Sequence, residues 1–225
     1  ALDGVGLTGQ LPKSFFTAFP ELRLVGLSNN KLSGPIPEAF GSMTQLQALM
    51  LSSNLWTGQL PNLEKLVNLK ILHLANFYNV DAKGNVISEV TGTLPDISKM
   101  PQLEYIDASY SNLSGQLPEQ IGLCRNLQVL ELSANQLTGS IPASISECTE
   151  LQIFSVQDNK MSGEIPDLSA LINLGKPLDL GLGVTEPGRL YLNGNEFTGS
   201  FPESVVMLPR LQRFSCANNK LTGSL

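Results

Sequence analysis

A single histidine and a single tryptophan stand in 225 residues, and cysteine occurs only three times. A catalytic or metal centre built on several imidazoles or thiolates has little to draw on. Basic residues are in deficit, 14 Lys and Arg against 20 Asp and Glu, for a formal charge of −6. That balance lacks the positive footprint that nucleic acid or an anionic membrane surface demands, so neither is an expected partner of this segment. No apolar run reaches the roughly eighteen residues of a membrane-spanning helix. Also missing are the G-x-S-x-G nucleophile elbow, the phosphate-binding G-x-x-x-x-G-K-[S/T] and the zinc motif H-E-x-x-H. The reading is a protein without catalytic residues, metal ligands or a cofactor.

What is present is a repeat. An apolar–[Ser/Thr]–Gly phrase recurs nine times, from Leu7-Thr8-Gly9 to Leu221-Thr222-Gly223. Eight of the nine continue as x-[Leu/Ile/Phe]-Pro, giving Pro12, Pro37, Pro61, Pro95, Pro118, Pro142, Pro166 and Pro202. Most intervals are 23–25 residues; only Trp56 to Val90 and Met161 to Phe197 are longer. Each unit also carries L-x-x-L-x-L-x-x-N-x-L, clearest in LQVLELSANQL from Leu127 to Leu137. Alternate leucines on a short strand point to one face, and one such unit cannot hide that face alone. Stacked units can, so the spacing predicts a solenoid. The Asn slot (Asn30, Asn54, Asn135, Asn159, Asn195 and Asn219) suits a buried amide bonded to free backbone groups. Ser111 takes that slot in one turn and Phe77 in another.

These phrases resemble the plant-specific class of leucine-rich repeats found in receptor-kinase ectodomains and polygalacturonase inhibitors. The resemblance spans essentially residues 1–225 as one domain of about nine turns. It implies an α/β repeat solenoid: a curved right-handed superhelix with a concave parallel sheet, a short second sheet and 3-10 turns on the convex side. Both capping turns are missing from the sequence, which leads us to expect part of a longer protein. The resemblance also implies an extracellular or cell-surface recognition module for a protein, peptide or glycan ligand, with a co-receptor or assembly partner as a further possibility. A secreted inhibitor of the polygalacturonase-inhibitor kind and a structural scaffold are the alternatives.

Register arranges the strand positions into rows. The middle row reads Gly26, Met50, His73, Asp107, Glu131, Ser155, Tyr191 and Ser215, and it is expected to lie exposed on the concave face. Large and charged residues gather in the middle of the arc, so the candidate ligand-binding residues are His73, Tyr105, Asp107, Tyr110, Glu131, Asp158, Arg189 and Tyr191. Tyrosine beside charge provides rigid amphipathic area for recognition. The sequence shows no sign of an enclosed pocket for Asp107 and Glu131 to act as a glycosidase pair, and side chains on parallel strands diverge rather than converge on a metal.

The Ser/Thr positions of the repeated phrase form a hydroxyl ladder. Such arrays can match ice, but hydrogen bonding to the neighbouring turn is the simpler reading. Cys124 and Cys148 occupy the same slot of adjacent turns; buried free thiols are favoured over a disulfide. Asn112 opens the sequon Asn112-Leu113-Ser114 and is the glycosylation candidate. Two inserts interrupt the period, near residues 75–89 and 175–187. Leu178-Asp179-Leu180 and Leu190-Tyr191-Leu192 both compete for the strand of the second long interval. The latter is preferred, because Asn195 and Phe197 then follow in register.

Overall fold

The computed structural model describes residues 1–76, 89–179 and 185–223. Most of the first insert, including Phe77, and Leu180 of the second lie outside the described residues. Eight strands of two or three residues form one parallel sheet in chain order. They are Leu24–Gly26, Ala48–Met50, Ile71–His73, Tyr105–Asp107, Val129–Glu131, Ile153–Ser155, Arg189–Tyr191 and Phe214–Ser215. Strand register pairs Gly26, Met50, His73, Asp107, Glu131, Ser155, Tyr191 and Ser215 in one unbroken row, as the repeat spacing requires. The competition at the second insert resolves to Arg189–Tyr191. Leu178–Asp179 instead pairs antiparallel with Thr185–Glu186 outside the sheet.

The middle residue of each strand faces inward. Leu49, Leu72, Ile106, Leu130, Phe154 and Leu190 are fully buried and belong to one continuous core. On the far side of each turn lies bulkier structure: 3-10 turns at Glu38–Ser42, Ile97–Lys99, Ile121–Leu123 and Ala143–Glu147, with short α-helices at Lys13–Ala18 and Glu203–Val206. Strands stack about 4.8 Å apart, whereas packed helical turns need more room, so the stack bends toward the sheet. The recurrent proline has its reason here. Pro37, Pro142 and Pro202 each stand immediately before a helical turn, with φ between −62° and −73°. A residue with fixed φ and no N–H suits that junction.

Between sheet and turns runs the short second sheet. Its longest part joins Thr8–Gly9, Lys31–Pro35, Leu55–Gln59 and Glu89–Thr91. Part of the hydroxyl ladder is used internally: Ser114 Oγ donates to Gly92 O at 2.9 Å, Thr138 Oγ1 to Gly115 O at 3.2 Å and Thr222 Oγ1 to Gly199 O at 3.3 Å.

The Asn slot stitches the turns together. Asn135 Nδ2 donates to Ala108 O of the preceding turn and to Leu132 O and Ser133 O of its own, while Oδ1 accepts from Leu113 N and Ser111 N. Asn54, Asn159, Asn195 and Asn219 repeat the pattern. Ser111 fills the slot with less reach, its hydroxyl lying 3.2 Å from Leu74 O and 3.1 Å from Ser109 O. All three cysteines are free thiols, and Cys124 and Cys148 are buried. Cys124 Sγ donates to Ile97 O at 3.1 Å and Cys148 Sγ to Ile121 O at 3.4 Å. Burial pushes these thiols up to about 11 and about 12 respectively.

The second insert leaves and returns at one point. In regular turns two consecutive N–H groups share one carbonyl of the previous turn, as Gln152 N and Ile153 N share Gln128 O. Gly175 N and Arg189 N share Gln152 O in the same way, although residues 176–188 separate them. Gly188 packs so tightly on Gly175 that a Cβ there would lie 2.3 Å from the Gly175 carbonyl carbon. Glycine is required for that approach.

Two outcomes follow. Asn135→Ala strips partners from buried N–H and C=O groups and should lower unfolding stability by about 2–4 kcal/mol. Gln136→Ala, at an exposed neighbour, should change it by less than about 0.5 kcal/mol in the same urea titration. A maleimide at neutral pH should label half-buried Cys216 in the native protein but leave Cys124 and Cys148 unmodified, with all three reacting after unfolding.

Candidate concave ligand site

The sheet face carries a basin of about 530 Å³ lined by His73, Tyr105, Asp107, Tyr110, Glu131, Glu186, Arg189 and Tyr191 among smaller polar residues. Strand geometry puts these residues together. In each three-residue strand the outer two residues point away from the core. His73, Asp107, Glu131 and Tyr191 therefore line up as third residues, while Tyr105 and Arg189 stand in the first row. Tyr110 enters from the bend beyond its strand, where it holds a left-handed φ of 56°. Other turns put Asn29, Ser53 and Ala134 at the same bend.

Seven of the eight candidate residues line the basin. Asp158 does not: it lies exposed at the left-handed bend two turns further along, its carboxylate against Gly194. Asn112 is exposed on another part of the surface, its amide 3.4 Å from Val90 O. The expectation of an exposed row needs correction. Asp107 and Glu131 each retain only 7% of their accessible surface, and Ser155 retains none. Inward curvature crowds neighbouring side chains, and the second insert adds a wall.

That wall matters electrostatically. Arg189 binds Glu131 Oε2 at 2.7 Å and Glu186 Oε1, contributed by the insert, at 2.6 Å. Leu178 of the same hairpin packs with Val129, Ile153 and Tyr105. Arg189 is thus held by the protein's own carboxylates, its guanidinium 6.0 Å from the Tyr191 ring centre. Ser133 Oγ donates to the other Glu131 oxygen. Asp107 Oδ1 accepts from Ser109 N at 3.0 Å and from Ser109 Oγ. His73 Nε2 lies 3.6 Å from Asp107 Oδ2, and its ring meets Tyr105 edge-on at 6.0 Å.

Burial dominates the titration of these groups. It pushes the carboxyls of Asp107 and Glu131 up, against the opposing hydrogen bonds from Ser109 and Ser133 and the Arg189 charge. It lowers His73, against the attraction of Asp107 and then Asp3. Burial likewise raises the Tyr105 hydroxyl, which stays protonated throughout the physiological range. Glu186 and Asp3 were not found from the sequence. Glu186 sits in an insert without repeat register, its only signal the i,i+3 spacing to Arg189. Asp3 precedes the first complete repeat.

Comparison with known proteins agrees with this architecture. The family model described as Leucine Rich Repeat matches residues 21–43 and 126–148. The ectodomain of the Arabidopsis receptor kinase HAESA, solved with the peptide hormone IDA and the co-receptor SERK1, superposes with a TM-score of 0.79 at 30% identity. The match covers 97% of this chain and 33% of that one. The chain is a plant-type leucine-rich repeat solenoid. The tomato receptor-like protein EIX2 is 29% identical over 113 residues, half of this solenoid and 10% of that relative. A plant ice-binding protein is also similar, with a TM-score of 0.64 at 26% identity over 97% of the solenoid and 71% of that chain. The solenoid spans a tenth or less of the first curated relatives it matches. The kinase domains of those relatives that are named as kinases are not covered by it, and the receptor ectodomains it resembles are a binding fold rather than an enzymatic one. No helix among the described residues is long and apolar enough to cross a membrane.

The His73–Asp107 pair offers a direct check. By NMR, the His73 ring should titrate below 6.5. Asp107→Asn should lower it further, because the attraction that partly offsets burial is lost. The unfolded chain then takes up the His73 proton first, so this residue costs stability as pH falls through about 6.5. Asp107 works in the opposite sense: its raised carboxyl costs stability above its own titration. Asp107→Asn should therefore leave stability at pH 7 unchanged or higher. A rise in the His73 value on this substitution would contradict the pairing.

Proposed function

We propose that this solenoid is the ligand-recognition part of a plant receptor-like protein, facing the outside of the cell, and that it takes a peptide in the concave basin. The observation that carries the reading is the clustering of His73, Tyr105, Asp107, Glu131, Arg189 and Tyr191 in one basin of about 530 Å³. A basin of this size accommodates several side chains of an extended segment. Half-buried tyrosines supply contact area at low entropic cost, as recognition surfaces require. The likeness to an ectodomain solved with a peptide hormone supports a peptide over a glycan, and its co-receptor makes a second protein partner part of the proposal. Ice binding is not favoured, since three hydroxyls of the Ser/Thr ladder, those of Ser114, Thr138 and Thr222, are engaged with carbonyls of the neighbouring turn and break its regularity as a free array.

Selection of a random peptide-display library on the immobilised solenoid tests this. Enriched peptides should lose at least about tenfold in affinity for Tyr191→Ala, the loss expected when a central aromatic anchor is removed. They should bind Arg125→Ala, an exposed position outside the basin, as they bind the unaltered protein. Binding that ignores Tyr191→Ala, or no enrichment at all, would overturn the concave-basin reading.

A further inference from the structure

The charges lining the basin do not cancel. Asp107, Glu131 and Glu186 face one guanidinium, that of Arg189, and His73 is held toward its neutral form. Three carboxyl groups thus share one cation in a partly desolvated hollow, where charge is felt more strongly than in water. The carboxylates are not equally occupied. Both Glu131 oxygens are engaged, one by Ser133 and one by Arg189. Glu186 is committed to Arg189 through Oε1. Asp107 spends Oδ1 on Ser109. Its Oδ2 has His73 Nε2 at 3.6 Å, beyond hydrogen-bond distance, and among the described residues no nearer donor reaches it. A side chain more than nine-tenths buried thus turns one acceptor without a hydrogen bond toward the basin.

Beside this acceptor the first row of the sheet changes character. Val129 and Ile153 are covered by Leu178 of the second insert. Toward the N-terminus the same row reads Leu24, Ala48 and Ile71, with Leu24 45% and Ile71 36% exposed and Ala48 buried between them. Half-buried Met50 stands next to them in the adjoining row. The centre of this apolar shelf lies two strands from Asp107, about 10 Å at the usual strand spacing. An extended chain covers that distance in about three residues.

We infer that the basin recognises a basic side chain of an extended peptide, docked on Asp107 Oδ2, and that an apolar side chain about three residues away rests on the shelf of Leu24, Met50 and Ile71. The inference rests on the peptide-binding reading and gives it a ligand chemistry. Arginine suits the basin better than lysine. Its weakly hydrated planar guanidinium costs less to desolvate and can stack on tyrosine, here Tyr105 beside the acceptor. An acidic ligand group is disfavoured, because Arg189 is already held by two carboxylates that such a group would have to displace.

The test uses a positional-scanning library of acetylated, amidated octapeptides on the whole solenoid, read by fluorescence polarisation. Arg or Lys should dominate one position, with Leu, Ile, Phe or Met favoured about three positions away. Replacing the basic residue by citrulline, which keeps the shape and removes the charge, should weaken binding at least about tenfold, a typical cost of leaving a buried charge unpaired. That peptide-side change leaves the protein unaltered, so misfolding cannot mimic the result. On the protein side, the ratio of Arg-peptide to citrulline-peptide affinity should collapse toward one in Asp107→Asn, and Ile71→Ser should erase the apolar preference. Citrulline binding as well as arginine, or acidic residues selected at that position, would overturn the inference while leaving peptide binding intact. Absence of any basin-dependent peptide would overturn the broader reading with it.

Discussion

Most described turns of this solenoid hang on a side-chain amide that bonds to its own turn and to the turn before it at once. Where the chain leaves each sheet strand and bends, its peptide groups lose their ladder partners inside a dry core. Asn135 answers for both sides of that bend, accepting from the turn before while donating to carbonyls of both turns. The leucines supply the driving force of burial, but they are interchangeable in kind and do not fix where one turn sits on the next. The amide does, since a shift of one residue would strand several buried polar groups at about 1–3 kcal/mol each. The straight rows across the sheet, and so the meeting of side chains far apart in sequence, depend on that constraint.

This explains what could be read from the sequence and what could not. The middle row from Gly26 to Ser215 follows from counting residues to the Asn slot, and the strands pair in that register. The same count separated Arg189–Tyr191 from Leu178–Asp179, because Asn195 lies at the correct distance from only the former. Burial was beyond it. Asp107 and Glu131 read as exposed because a row assignment says which face a side chain leaves from, not how crowded that face becomes when the sheet curves. The partnership of Glu186 with Arg189 and Glu131 was hidden for a different reason: an insert has no register, so nothing in the repeat locates it.

The basin combines two kinds of residue with different origins. His73, Asp107, Glu131 and Tyr191 stand at a repeat position that Met50 and Ser155 occupy in neighbouring turns, where the fold asks only for something compatible with the concave face. Glu186 and Leu178 come from outside the repeat and change what the row can do, one by holding Arg189 and the other by covering Val129 and Ile153. Regular turns thus supply the platform, and the irregular segment sets its charge balance and its apolar boundary.

The pinch at Gly175 and Gly188 has a consequence for how such a surface can change over evolutionary time. A loop whose two ends meet within one turn is topologically a side branch: the strands Ile153–Ser155 and Arg189–Tyr191 pair in unbroken register across it. Its length and chemistry are therefore free to drift, provided the two glycines and the shared carbonyl of Gln152 remain. Selection can rewrite one wall of the basin in a single step without renegotiating the core packing that keeps the solenoid folded. Ligand preference and stability become separately inherited traits, divided at two glycine residues.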